Sequence, residues 1–293
     1  MIYRRRASAL HVARAGIAAA YGMALVLLAL CFTNPLVLGA IAVAAGGAAV
    51  LAGVGTEIAR AARFAVPLAI LVALVNALVV REGLTVIVRV GEVPPFGRID
   101  ITLEAAVYGL LLGLRVLVIV LCAALLTATV DPDEVLRGMR RVSLRSALTA
   151  SLATRMVPVL ARDAQRMEQA RRCRPNVDLR TRRTQLAVVR AVTTGALERA
   201  VDVAATLELR GYAIARRGPR AAGAPVSRHD VSVGCAALGL LGLGAWGLAA
   251  GVARVDPYPR LVLGTGVQEL ALAVLIVVAA LVPFLSRRGV ERA

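Results

Sequence analysis

The sequence predicts an all-α, polytopic membrane protein with about six transmembrane helices. Of its 293 residues, 59% are hydrophobic, and the mean hydropathy of +0.75 is too high for an ordinary soluble domain. Several uninterrupted apolar runs exceed the roughly 18 residues that indicate a membrane-spanning helix. Aromatic residues make up only 3% of the chain. The apolar residues are therefore mainly Ala, Val, Leu and Gly, and the small ones let membrane helices approach closely.

Six apolar segments fall into two blocks that flank a long arginine-rich interval. The predicted spans lie at about 15–32, 36–54, 64–80, 103–129, 231–252 and 261–285. This pattern predicts three regions: a four-span membrane domain at 1–130, a domain of two long helices at 131–229, and two further spans with a C-terminal tail at 230–293.

Two connecting segments inside the first block differ in character. Residues 56–63 are polar and predict a link between the second and third spans. Residues 81–100 contain a β-branched run at 85–90, followed by Pro94 and Pro95, and this composition interrupts any helix. We therefore expect residues 81–100 to form a short hairpin or a re-entrant loop at the membrane face.

The interval 131–229 contains two long amphipathic patterns. The first runs from Leu144 to about Cys173, and Pro158 is expected to break or kink it in the middle. The second begins near Thr184 and stops at Gly211, because glycine readily takes the left-handed conformation that ends helices. We therefore expect two long helices here.

Arginine supplies all of the formal positive charge, since the chain contains no lysine, and the net charge is +17. With six spans, 29 of the 35 arginines lie on one side, which includes both termini, the 56–63 link and the 131–229 interval. Only five lie in the opposite loops. The positive-inside rule therefore predicts that both termini and residues 131–229 are cytoplasmic.

The residue inventory argues against a catalytic or metal-binding chain. A P-loop places a lysine on the phosphates, so a chain without lysine does not carry that nucleotide site. The four cysteines show no CxxC spacing, and the two histidines flank membrane spans. Asp131 and Asp133 fit a helix start rather than a catalytic carboxylate pair. We expect no catalytic residue, no metal and no cofactor in this chain.

The two long patterns end in a similar way, with an arginine in the last turn. The first ends at Ala170, Arg171 and Arg172, and the second ends at Leu209, Arg210 and Gly211. A cation at a helix C-terminus complements the helix dipole, and this effect alone would explain an arginine at the end of one helix. Two such ends within one interval are less readily explained by the helix dipole alone.

A further charge, Arg115, lies near the centre of the fourth predicted span. An arginine inside the membrane is a functional candidate by default. We favour a structural role, in which Arg115 pairs with Glu104 or with backbone carbonyls.

Several short runs share a resemblance that covers roughly residues 1–215. They are Ser8, Leu10 and His11 near the start, then 101–104, 109–115, 131–134, 163–165 before Ala170 and Arg171, and 208–212. Together they resemble the transmembrane T component of energy-coupling factor (ECF) transporters, a family similar to cobalt-transport permeases.

The resemblance implies a non-catalytic coupling subunit of an ABC-type importer in a bacterial plasma membrane. In that family two long cytoplasmic helices cross, and each touches one of two ATPases that bind ATP and Mg²⁺. A separate membrane protein, the S component, captures a vitamin or a metal ion of the cobalt or nickel class. Carried over by position, Arg171 and Arg210 contact the ATPases, with Ala170 and Gly211 packed beside them. Apart from the lipid bilayer these are the partners implied, and nucleic acid is not among them.

Two positions depart from the family's Ala-Arg-Gly pattern. Arg172 stands where the first motif has glycine, and Leu209 stands where the second has alanine. Both remain within the predicted ATPase-binding set.

Two other interpretations stay open from the residues alone. A membrane-anchored basic protein could lay its arginines on anionic headgroups, at about 1 kcal/mol per arginine, and then charge alone would matter. A membrane-embedded enzyme would need clustered Asp, His or Cys in the interval 131–229, and the sequence shows no such cluster.

Overall fold

The computed structural model describes residues 6, 8–79, 86–93, 97–139, 144–173, 182–211, 227–252 and 266–285. Over these residues the chain is a helical membrane protein with one two-stranded hairpin, which confirms the predicted all-α polytopic class. The chain divides into two compact units. We call Met1–Pro132 with Pro225–Ala293 the membrane unit, and Asp133–Ala224 the arginine-rich unit.

The elements follow one another in a simple order. Those of the membrane unit are α1 (Ala9–Val12), α2 (Ala15–Cys31), α3 (Pro35–Leu51), α4 (Gly55–Val79), β1 (Val86–Val93), β2 (Gly97–Thr102), α5 (Leu103–Thr129), α9 (Arg228–Ala249), α10 (Val267–Leu281) and a 3₁₀ turn (Val282–Phe284). Between α5 and α9 come α6 (Pro132–Met139), α7 (Leu144–Arg172) and α8 (Arg182–Leu209).

Six of these helices correspond to the six predicted spans. By length and composition α4, α5, α9 and the segment Val267–Phe284 can each cross a membrane. Helices α2 and α3 are apolar and have 17 residues each. A helix of that length rises about 26 Å, close to the roughly 30 Å of a bilayer's hydrocarbon core.

The prediction of a polar link at 56–63 was wrong, because α4 begins at Gly55 and includes these residues. Glu57 and Arg60 stand three residues apart on α4 and form an ion pair at 2.9 Å. A polar first turn and a half is compatible with a helix that extends beyond the apolar layer. Hydropathy locates the apolar part of such a helix and misses its polar beginning.

The predicted hairpin in 81–100 is present as the antiparallel pair β1 and β2. The register shifts twice along β1, between Val86 and Val88 and between Arg89 and Gly91. At the end of β2 the Thr102 hydroxyl accepts a hydrogen bond from the Ala105 amide at 3.3 Å and caps α5. Pro94 and Pro95, and the predicted span residues 261–265, lie outside the described residues.

The core of the membrane unit lies among α2, α3, α5, α9 and α10. Helix α9 packs on α2, α10 packs on α3, and α5 contacts both α2 and α3. The buried Tyr21 hydroxyl of α2 donates to the Ala280 carbonyl of α10 at 2.8 Å. Helices α9 and α10 are therefore integral to the core.

A buried carboxylate joins the N-terminal segment to the start of α9. Asp230 is 3% exposed and accepts from the Arg14 amide at 2.8 Å and the Ser227 amide at 2.9 Å. The Arg14 guanidinium lies 3.5 Å from the same carboxylate. Ser227 and Asp230 also form a capping box. The Ser227 hydroxyl accepts from a backbone amide of the first helical turn, and the Asp230 carboxylate accepts from the Ser227 amide.

Helices α4 and α5 pack along most of their length. A Cβ added at Gly109 would stand 2.6 Å from the Ala73 carbonyl oxygen, and one at Gly113 would stand 2.5 Å from that of Ala69. Two glycines spaced four residues apart let membrane helices meet backbone to backbone. The close approach of α4 and α5 therefore requires glycine at both of these positions of α5.

The arginine-rich unit is built differently. Helix α7 continues through Pro158, so the predicted break does not occur. Of the side chains that the structure describes in this unit, only Ser151 is buried, and α8 has none. Most of the surface of both helices therefore remains accessible.

Candidate functional site

The end of α7 carries two adjacent arginines with different surroundings. The Arg172 guanidinium donates to a Glu168 carboxylate oxygen at 2.6 Å, one turn back on the same helix. Arg171 is partly exposed and makes no ion pair within the part of the chain that the structure describes. Ala170 beside it is exposed. The guanidinium available to a partner at this end is therefore that of Arg171.

The end of α8 presents an arginine between an exposed leucine and a glycine. Leu209 is 89% exposed, and Arg210 is exposed, with its amide bonded to the Thr206 carbonyl at 3.2 Å. Gly211 has φ +73° and donates to the Glu208 carbonyl at 2.9 Å. A Cβ at Gly211 would meet nothing within 4 Å. Glycine is therefore favoured here by the left-handed backbone, and open space remains beside Arg210.

The two helix ends share one set of chemical properties. Each offers a guanidinium, with five donors in a rigid fork, and neither Arg171 nor Arg210 is paired with a carboxylate among the described residues. The cation also complements the partial negative charge of the last helical turn. This arrangement suits the recognition of a carboxylate or a polar cleft on another molecule.

One ion pair joins α7 to α8. The Arg199 guanidinium donates to an Asp163 carboxylate oxygen at 3.1 Å. Asp163 is mostly shielded and Arg199 is partly exposed, with side chains 24% and 40% accessible. This contact links the two helices that carry the arginine-tipped ends.

Arg115 contacts a backbone carbonyl inside the membrane unit. Its Nε donates to the Ala29 carbonyl at 3.1 Å. Ala29 lies in the last turn of α2, where carbonyls lack the next helical amide as a partner. Of the two structural partners that the sequence suggested, the structure shows the carbonyl and not Glu104.

The described residues offer few other metal-binding or reactive groups. Across the described ranges, no group of three or more His, Cys, Asp or Glu residues could hold a metal ion. The four cysteines are free thiols.

Several residues that define these sites escaped the sequence interpretation. Glu168 stands four residues before Arg172, and that spacing is itself a signal for an ion pair on one helix face. The pair Gly109 and Gly113 is a readable small-residue motif. Only the structure reveals which residues lie opposite these glycines.

The fold and the two helix ends define a polytopic membrane protein with a separate helical unit. The sequence model of the CbiQ family, described as cobalt transport protein, matches residues 6–219, and the chain belongs to this family. It is thus a membrane component related to transport. No curated protein matched the chain. The family match covers α1 to α8, and α9 and α10 lie beyond it.

Proposed function

We propose that this protein is the T component of an ECF-type importer in a bacterial plasma membrane. It transmits the motion of two ABC-type ATPases to a substrate-binding S component and catalyses no reaction itself. The observation that carries the proposal is the pair of matched helix ends, where Arg171 and Arg210 each present a guanidinium without an ion pair in the described part of the chain. Membership of a transport family supports it.

The chemistry of the ends fits a groove on each ATPase. A guanidinium keeps its charge when partly buried and can bind a carboxylate through two hydrogen bonds. Arginines of this kind are frequent among the few residues that dominate an interface. The exposed Leu209 adds apolar surface beside Arg210.

The departures from the family pattern are consistent with this role. Arg172 replaces a glycine, and its guanidinium is engaged by Glu168 on its own helix. Arg172 therefore does not compete with Arg171 for the proposed contact with the ATPase. At the second end, Gly211 retains the left-handed backbone that ends α8 beside Arg210.

The proposed cycle follows from rigid helices. ATP and Mg²⁺ bind to the two ATPases, and their closure draws the Arg171 and Arg210 ends together. Helices α7 and α8 are 29 and 28 residues long, so they can carry that motion toward the membrane as stiff elements. The motion tilts the S component, which releases a vitamin or a metal ion such as cobalt to the cytoplasm. The excess of arginine on one side of the membrane supports a cytoplasmic location for α7 and α8.

The proposal is tested by co-purification in detergent with the ABC-type ATPases of the same organism. We expect the double variant Arg171→Ala/Arg210→Ala to capture at least tenfold less ATPase than the wild type. The matched control is Arg155→Ala/Arg190→Ala, which removes one exposed arginine from α7 and one from α8, away from the helix ends. It should capture ATPase normally. Equal loss in both double variants would favour a surface that acts through charge alone, and normal capture by the first would contradict the proposal.

A further inference from the structure

The contact between α7 and α8 combines weak packing with a directional polar pair. The two helices make far fewer contacts than α4 and α5 do, and α8 has no buried residue to fix its position. Packing alone therefore constrains their mutual angle weakly. A directional contact between the described parts of α7 and α8 is the 3.1 Å hydrogen-bonded ion pair of Asp163 and Arg199.

Helices α7 and α8 have 29 and 28 residues but contact each other over only a small part of that length, which indicates that they cross rather than lie side by side. Helix α7 ends at Arg172 and α8 begins at Arg182. In a side-by-side antiparallel hairpin, Asp163, nine residues before the end of α7, would face a residue nine positions into α8, near Ala191. It binds Arg199 instead. That offset of eight residues shows that the crossing point is also shifted by about 12 Å along α8.

We infer that Asp163 and Arg199 form the pivot at which α7 and α8 cross, and that this pair sets the angle between the Arg171 and Arg210 ends. The role of those ends rests on the proposed function, whereas the pivot concerns this chain alone. Asp163 and Arg199 are thus positioning residues. Because they pair with each other, the guanidiniums of Arg171 and Arg210 remain available to a partner.

The pivot divides each helix into a short and a long arm. From Asp163 to Arg171 the rise is about 12 Å, and from Arg199 to Arg210 it is about 16 Å. The opposite arms, back to Leu144 and Arg182, rise about 28 Å and about 26 Å. A displacement at the arginine-tipped ends is therefore amplified about twofold at the far ends of the helices.

The inference is tested by double electron–electron resonance on the full-length protein. One spin label is placed on the native, exposed Cys173 after α7, and the second on Ala205→Cys near the end of α8. The other three cysteines are replaced by alanine. A change of about 10° at the pivot moves each end by about 2–3 Å, given arms of this length. We expect Asp163→Asn to broaden and shift the distance distribution, and the charge-swapped Asp163→Arg/Arg199→Asp variant to restore it.

The matched control is Asp202→Asn, which removes an exposed carboxylate one turn from Arg199 that makes no ion pair among the described residues. It should leave the distribution unchanged. A distribution for Asp163→Asn identical to that of the control would overturn the pivot.

The same variants separate the pivot from the proposed function. ATPase capture by Asp163→Asn should stay within threefold of the wild type, because Arg171 and Arg210 are intact, while ATP-driven uptake in the assembled transporter falls at least tenfold. If the wild type captures no ATPase, the proposed function fails, and the distance measurement still decides the pivot.

Discussion

The two units of this molecule are stabilised in opposite ways. In the membrane unit, small and aliphatic side chains of five helices are buried against one another, and glycines of α5 touch the backbone of α4. In the arginine-rich unit, α8 buries no residue, and a partly exposed ion pair joins it to α7. One unit is fixed by close packing, and the other is held by a few polar contacts.

This difference is compatible with the proposed transmission of motion. Close-packed interiors resist small displacements, so the membrane unit provides a stable frame. Helices with accessible surfaces can change their mutual angle at a low cost in lost packing. Equivalent substitutions should therefore have large effects on stability in the membrane unit and small effects in the arginine-rich unit.

The largest expected difference concerns two aspartates. Asp230→Ala removes the acceptor of the Arg14 and Ser227 amides and should lower the free energy of unfolding by about 3 kcal/mol, mainly because two backbone donors lose their partner. Asp202→Ala removes an exposed carboxylate and should change it by less than about 0.5 kcal/mol. Denaturant titration in detergent micelles measures both. Equal effects would contradict the comparison.

A smaller difference, with opposite signs, concerns two glycines. At Gly113 a methyl group would collide with the Ala69 carbonyl, so Gly113→Ala should destabilise the protein by about 2 kcal/mol. At Gly195 of α8 a methyl group meets nothing within 4 Å. Gly195→Ala should therefore stabilise helix α8 by up to about 1 kcal/mol.

The same titration measures both glycine variants. A stabilising effect of Gly113→Ala would show that α4 and α5 do not meet backbone to backbone. A destabilising effect of Gly195→Ala would reveal packing on that face of α8.

Much of the membrane fold could be predicted, because hydropathy and helical length are local properties. The fourth span coincides with α5 at Leu103–Thr129, and the β-branched run with its following prolines correctly indicated the hairpin. The start of α4 was missed because Thr56, Glu57 and Arg60 interrupt the apolar run there, although Glu57 and Arg60 pair along the helix. Hydropathy does not report a helix outside the apolar layer.

The site was less predictable, because its contacts join residues distant in sequence. Asp163 and Arg199 are 36 residues apart, and Arg14 and Asp230 are 216 apart, so spacing gives no signal for either pair. The sequence also left Arg171 and Arg172 equivalent in charge. The Glu168 contact, which distinguishes them, depends on which way each side chain leaves the helix.

Arg171 is the residue that we propose to bind an ATPase directly. The most direct measurement is the Kd of the purified ATPase pair for the detergent-solubilised protein, with Arg171→Ala compared with its neighbour Arg172→Ala. Both variants lose one positive charge from the same helix end. We expect Arg171→Ala to raise the Kd about 100-fold, equivalent to about 3 kcal/mol, and Arg172→Ala to change it less than about threefold. Equal Kd values for the two variants would contradict the account.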